Sequence, residues 1–587
     1  MRTRSCAVFI APAFPHCCCG LRIAVSAATN SSTMGNASSA SPHLTAEQED
    51  LKFLADRYPF GDKELGSIYR RYQSLLAASE RTSFLQDWVT TEEQQALFRV
   101  VEEQILTKGW GDRFYQSAFQ VEGDVSLYPA ANSVPTNAVD EFTRKARLER
   151  LGQGWTDAGR RGGRTAAHVV FRTCASKREM DDGSTVVSAL ELVDTGYRLA
   201  LASAFLQSSS NLLSKQESDE DEDDEDDSNP GSYLPTGSVQ NDVDLQSLAL
   251  SLVNRGRNRR QRLATGSEKY DDLDQGLVRI EDVWDWLDEV APLFGSVLPT
   301  FVHHVLFPDS PHPPTRTPLD FPRLSEDSVF FHSPDSPLLF SFSCLSAALG
   351  GPYFRLYTSL HDGLSFNRLQ NALLGYAGPT LLLIHASQPK GAIFGAFTAS
   401  PWKESKDFYG NSDCFLFQLA PTTIVYRPTG QSRNFMYCNS YARSRGYDQL
   451  PHGLGFGGTP DAPRLFLSES FDDCRAGTQC LTFEKGPMLP LSEDGGLQKY
   501  FELESLEVFG VGGSSEIVEQ ALQGRAKLRA VRDANIQKAR KVDKAQFLDD
   551  FRSGAISSKA FKYREQIDGR ADADVDERHR KDYDYEG

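Results

Sequence analysis

No stretch of this sequence reaches the roughly 18 to 20 consecutive apolar residues that a bilayer-crossing helix needs, so any membrane contact has to come from an anchor or a partner. Paired CxxC motifs and Cys/His spacings suited to zinc are missing as well. The ten cysteines among 587 residues therefore read as reduced thiols. Cys474 and Cys480 stand near enough in sequence to pair, although scattered free thiols are the simpler reading. There is no GxSxG elbow, no HExxH helix and no Walker loop, so nothing marks a nucleophile, a catalytic metal or a phosphate cradle. Positive charge is in deficit: the net charge of -18 argues against a general nucleic-acid binder, which needs Lys and Arg spread over a face. The one dense basic run, "RGRNRRQR" from Arg255 to Arg262, follows the acidic run "ESDEDEDDEDD", Glu217 to Asp227. Together they read as a charged, flexible insertion.

The first 45 residues contain no Asp or Glu, but carry Arg2, Arg4, Arg22 and many Ser and Ala. That composition suits a transit peptide; "CAVFIAPAF" also passes for a weak signal-peptide core. A third reading is that residues 1–33 precede the working start, because Met34-Gly35 with Ser39 at the right offset is how an N-myristoylated protein begins.

From Thr45 the text becomes helical. Thr45 and Gln48 form a capping box, and Leu65, Ile68, Tyr69, Tyr72, Leu75 and Leu76 recur at helix-face spacing. Similar texture continues to about Phe307, predicting an all-α domain over 45–307 with an acidic, disordered insertion at about 208–240. Within it, "DDLDQGLVRIED", Asp271 to Asp282, is the best candidate for an EF-hand loop: Gly276 falls at the turn and Val278 at the apolar position. Leu273, however, occupies a position that should supply an oxygen, and Asp282 is a short substitute for the final Glu. A helix-loop-helix without metal is the expectation. Residues 308–343, rich in proline, read as a linker.

Beyond Phe354 the period changes to short apolar runs such as "PTLLLIHAS", "GAIFGAFTASPW", "CFLFQLAP" and "PRLFLSESF", separated by Gly, Pro, Asn and Asp. This spacing predicts an antiparallel sandwich. In "YFELESLEVFGVG" the alternation slips by one residue, which predicts a bulge near Ser505. Gly453, Gly455, Gly457 and Gly458 in "HGLGFGG" lead into a strand rather than a helix, so they read as a structural glycine loop, permitting close packing or positive φ in a tight connection. His361 and Asp362 read as turn and capping residues. After Gly513, Ile517, Ala521, Leu528 and Val531 make a thin apolar stripe, suited to lying on a partner or simply to a solvated helix.

"DGLSFNRLQNALLGYAGPTLLLIHASQPKGAIFGAFTASPWKESKDFYGNSDCFLFQLAP", "TGQSRNFMYCNS", "LPHGLGFGG", "CLTF" and "LESLEVFGVGG", in that order, resemble the TLDc domain over about residues 344–513. The layout is similar to that of the membrane-associated TLDc proteins linked to mTOR signalling and lysosomes, which begin Met-Gly-Asn, carry an EF-hand-like helical region, and end in a helical tail. The implied fold class is α+β and multidomain: an N-terminal all-α EF-hand-like domain, an antiparallel β-sandwich TLDc domain with flanking helices, and a C-terminal helix in 514–587. The resemblance also implies a leader of residues 1–44 whose true start is Met34, lipidation at Gly35, and a peripheral place on lysosomal, vacuolar or other endomembranes. It implies binding to peripheral subunits of the vacuolar proton-pumping ATPase (V-ATPase), and needs no catalytic residue, cofactor, metal or nucleic acid. Oxidation resistance is associated with the family, so direct antioxidant or other enzymatic action is the competing expectation. Phe509 stands where the family commonly has Trp, and Ser468 where an Asp is expected.

Overall fold

The computed structural model describes residues 45–77, 83–89, 91–119, 127, 141–216, 242–263, 271–307, 319–324, 326–331, 333, 335–440, 450–489 and 498–511, with single positions at Glu519, Gln523 and Ala534. Gly35, the acidic run and the stripe residues of the tail lie outside the described residues. Two units are distinguished, Met1–Glu49 and Asp50–Gly587. In the first, the Thr45 N–H donates to Gln48 Oε1 at 3.0 Å and the Gln48 N–H to Thr45 Oγ1 at 3.3 Å, which is the expected capping box at the start of α1 (Ala46–Ala55).

In the second unit, α2 (Asp62–Ala77) buries Leu65, Ile68, Tyr69, Tyr72 and Leu75, the face set by its sequence spacing. There follow α3 (Phe84–Trp88), α4 (Glu92–Val100), α5 (Trp110–Phe119) and α6 (Glu141–Gly159), of which α3, α5 and α6 supply an aromatic cluster around Trp155. Next come α7 (Gly163–Thr173), β1 (Arg178–Glu179), β2 (Thr185–Ser188) and α8 (Ala189–Gln216). A second helix-loop-helix follows as α9 (Asp242–Leu263), α10 (Asp271–Asp274), β3 (Leu277–Arg279) and α11 (Ile280–Glu289). The two loops are joined by antiparallel pairing of β2 with β3, Val187 opposite Val278. The expected all-α domain thus contains a three-stranded sheet, because each loop contributes β-branched residues whose backbone groups pair across the loops. Helix α8 also runs past residue 208, where the insertion was expected to begin. A last helix, α12 (Val297–Leu306), is buried along its whole length.

The sandwich opens with β4 (Arg323–Leu324) and α13 (Pro337–Leu345). The latter takes residues 337–343 out of the stretch 308–343 read as a linker: Pro337 occupies the first helical turn, where its missing N–H costs nothing, and all nine residues are buried. There follow β5 (Pro352–Thr358), α14 (Ser359–Asp362), α15 (Phe366–Leu374), β6 (Thr380–Gln388), β7 (Ala392–Thr398), β8 (Ser405–Tyr409), β9 (Phe415–Ala420) and β10 (Ile424–Tyr426). The remaining strands are β11 (Met436–Asn439), β12 (Gly453–Gly458), β13 (Pro463–Ser468), β14 (Arg475–Gly477), β15 (Gln498–Tyr500) and β16 (Glu502–Val511).

One sheet has the order β10-β9-β7-β6-β16-β5-β4 and the other β15-β14-β13-β12-β11-β8. Between them lie Leu382, Ile384, Phe394, Leu454, Phe456, Leu465 and Leu467. The opposite face of the larger sheet carries Leu381, Leu383, Phe397, Phe417 and Phe509 against α13, Phe330 and Phe331. Burial on both faces explains why "LLLI", Leu381 to Ile384, is continuously apolar instead of alternating. The register of β16 on β6 shifts between Leu503 and Ser505, the expected bulge. Contacts to the helical region include the Thr423 N–H to Ser247 O at 3.0 Å and the Leu293 N–H to Cys344 O at 3.1 Å.

Candidate functional site

The four glycines form a strand, β12, between β11 and β13, not a loop. Glycine is depleted in strands because it packs no side chain, but at Gly453, Gly457 and Gly458 the neighbours leave no room for one. At Gly458, φ is +77°, and a Cβ would stand 2.2 Å from the Ala462 carbonyl oxygen. Gly458→Ala is expected to lower stability by about 1–3 kcal/mol, read as a shifted urea midpoint at unchanged slope. Alongside, Arg464 on β13 is fully buried. Its guanidinium donates to the carbonyls of Glu484 and Gly486 and lies over the Tyr426 ring, 4.9 Å from the centroid. Burial pushes its pKa down. The aromatic face and two carbonyls hold this cation in place, which makes the glycine strand part of a packed wall rather than an anion cradle.

His361 is exposed, while the Asp362 carboxylate accepts the Thr358 N–H at 3.1 Å and closes a turn. Cys474 and Cys480 are both free thiols. A reactive cysteine needs exposure and a depressed pKa. Burial instead pushes the Cys474 thiol up to about 11, and raises those of Cys174, Cys344 and Cys414. Ser468 is buried, and its hydroxyl accepts the Asp473 N–H at 3.0 Å. Phe509 fills its aromatic position against Phe331 and Tyr353, with centroids 5.7 and 5.9 Å away.

The largest departure from expectation concerns Arg255 to Arg262. These residues are not a flexible insertion. They form the C-terminal turns of α9, and the charges of Arg255, Arg257, Arg259 and Arg260 are met by acids of α10 and α11. Arg257 pairs with Asp274 at 3.0 Å, and Arg259 with Asp285 at 3.2 Å and Asp282 at 3.3 Å. Arg260 pairs with Asp272 at 2.6 Å and also with Asp282. The Asp282 side chain is fully buried and also accepts the Arg279 N–H at 3.0 Å. Burial alone would raise the Asp272 carboxyl, but the hydrogen bond and charge of Arg260 hold it below the usual range. Among the described residues, no group of three or more His, Cys, Asp or Glu is arranged to hold a metal ion.

Comparison with known proteins fits this geometry. Residues 338–512 match the TLDc domain model, starting within α13 and ending one residue beyond β16. The chain carries a TLDc domain over these residues. Over 269 residues, 45% of this chain and 55% of the relative, it is 30% identical to the zebrafish (Danio rerio) "MTOR-associated protein MEAK7". The human protein of that name is 30% identical over 171 residues, 29% of this chain and 34% of the relative. "Oxidation resistance protein 1" of Xenopus laevis is 35% identical over 88 residues, 15% of this chain and 10% of the relative. The chain thus spans about half the length, or less, of the curated relatives it matches. Among the described residues, no helix is long and apolar enough to cross a membrane.

Proposed function

We propose that this TLDc protein is a non-enzymatic regulator on endolysosomal or vacuolar membranes, tied to mTOR-type nutrient signalling and acting through the peripheral subunits of the V-ATPase. The observation that carries this reading is the TLDc match over 338–512 together with the mTOR-associated relatives, whose similarity extends beyond that domain in the zebrafish case. Membrane attachment is assigned to myristate on Gly35 in protein translated from Met34, and to a protein partner held by the sandwich and tail. No cofactor is required. The test is affinity capture of the full-length protein from detergent-solubilised endomembranes. Peripheral V-ATPase subunits should be enriched over a control that lacks residues 338–512. Equal recovery with both, or none with either, rejects the partner assignment.

The match to an oxidation resistance protein favours a second reading, direct consumption of oxidants. The raised thiols weigh against it, because a peroxidatic cysteine works as the thiolate. Catalytic turnover of peroxide by the purified protein would reverse that preference.

A further inference from the structure

We propose that the Arg260 guanidinium is the resident cation of the second helix-loop-helix, so that this unit is locked without calcium and α9 is held in the orientation that docks the sandwich. Asp282 ends the loop where a calcium-binding loop places its bidentate acid. Its carboxylate accepts hydrogen bonds from Arg259, Arg260 and the Arg279 N–H. Leu273, at a position that should offer an oxygen, is buried. The backbone of α9 itself closes the approach: a Cβ on Gly256 would stand 3.0 Å from Asp282 Cγ and 3.1 Å from Leu273 Cδ2. A divalent ion entering here would have to displace a guanidinium held by two carboxylates, and would face the charges of Arg259 and Arg279 as well.

The cation is also placed to act at a distance. Arg279 reaches across the paired loops to Asp182 at 3.0 Å, tying the first loop to the second. Along α9, the Ser251 hydroxyl accepts the Trp286 indole N–H at 2.8 Å, and one turn earlier the Ser247 carbonyl accepts the Thr423 N–H from the β9–β10 turn of the sandwich. The same helix therefore holds the arginine fork at one end and the sandwich contact nearer the other. Where calcium would make such docking conditional, the arginine makes it permanent.

The test uses the full-length protein. Its melting temperature should be the same in excess EGTA and in millimolar calcium, and calorimetric titration with calcium chloride should give no binding heat. Arg260→Ala, which removes the shared partner of two buried carboxylates and leaves them only the longer contacts to Arg259 and Arg279, should melt lower by on the order of 10 °C. Arg260→Lys keeps the charge but not the fork. It should fold, melt at an intermediate temperature, and exchange the Thr423 amide faster than the parent protein. Calcium stabilisation of the parent protein, or an Arg260→Ala melt equal to it, overturns the lock. Unchanged Thr423 protection in Arg260→Lys overturns its link to the sandwich.

Discussion

Replacing Trp155 with alanine is expected to destabilise the helical region by about 3–5 kcal/mol. The side chain is fully buried. It lies 4.9 Å from the Trp88 ring and 5.0 Å from that of Phe119, with Phe84 and Phe114 each at 6.0 Å. Such rings are rigid and mutually wedged, so the cavity left by the indole cannot collapse. The neighbouring position shows how little slack exists: a Cβ on Gly154 would stand 2.2 Å from Phe119 Cδ1. Among the described residues the indole N–H of Trp155 has no hydrogen-bond partner. Trp155→Phe, which removes that orphaned donor along with part of the ring, should therefore cost far less than the alanine variant. Differential scanning calorimetry of both variants checks this. Equal melting temperatures for the two would mean that the cluster relaxes and is not the rigid centre of the helical region.

What could be read in the sequence was local. The Thr45 and Gln48 capping box, the buried face of α2 and the bulge near Ser505 each depend on residues a few positions apart, and each is present. What could not be read depends on partners distant in the chain. Pro337 looks like a linker residue until its helix is seen to lie against the outer face of the larger sheet, where Phe342 meets the Phe417 ring edge-on at 5.3 Å. The glycines of β12 look like a loop until β11 and β13 close on either side. With glycine at four of its six positions, β12 shows its alternation only in Leu454 and Phe456, too short a run to mark a strand.

The arginine run shows the same limit in the functional region. Composition made Arg255 to Arg262 resemble the low-complexity acidic stretch before it. Arg260 and Asp282, which neutralise each other, are 22 residues apart and meet only once the loop folds back on α9. The degenerate loop was visible, since Leu273 and Asp282 are poor calcium ligands. That a cation from the same chain takes the vacant role was not, because nothing in a run of arginines says which carboxylate it faces. Arg464 was missed for a related reason: its partners are backbone carbonyls and the face of Tyr426, which leave no charge pattern.

Substituting Gly35 is expected to move most of the protein off membranes. A single myristoyl chain binds bilayers only marginally, with K on the order of 10⁴ M⁻¹, and a chain of net charge -18 gains no attraction to anionic lipid. Neither the acyl chain nor a protein contact of ordinary strength holds the molecule alone. On the attachment proposed above the two act together, since each would raise the effective concentration of the other. Loss of one should therefore produce a several-fold fall in the membrane fraction, not a small decrement. Expressed from Met34 in a myristoylating cell, the parent protein should sediment with endomembranes, and Gly35→Ala should shift the greater part to the supernatant. Removing residues 514–587, which follow the last strand of the sandwich, should reduce what remains. Mass spectrometry of the N-terminal peptide gives the acyl group directly. A membrane fraction unchanged by Gly35→Ala, or a mature protein starting upstream of Met34, would overturn the lipid anchor and return the acid-free leader to its reading as a transit peptide.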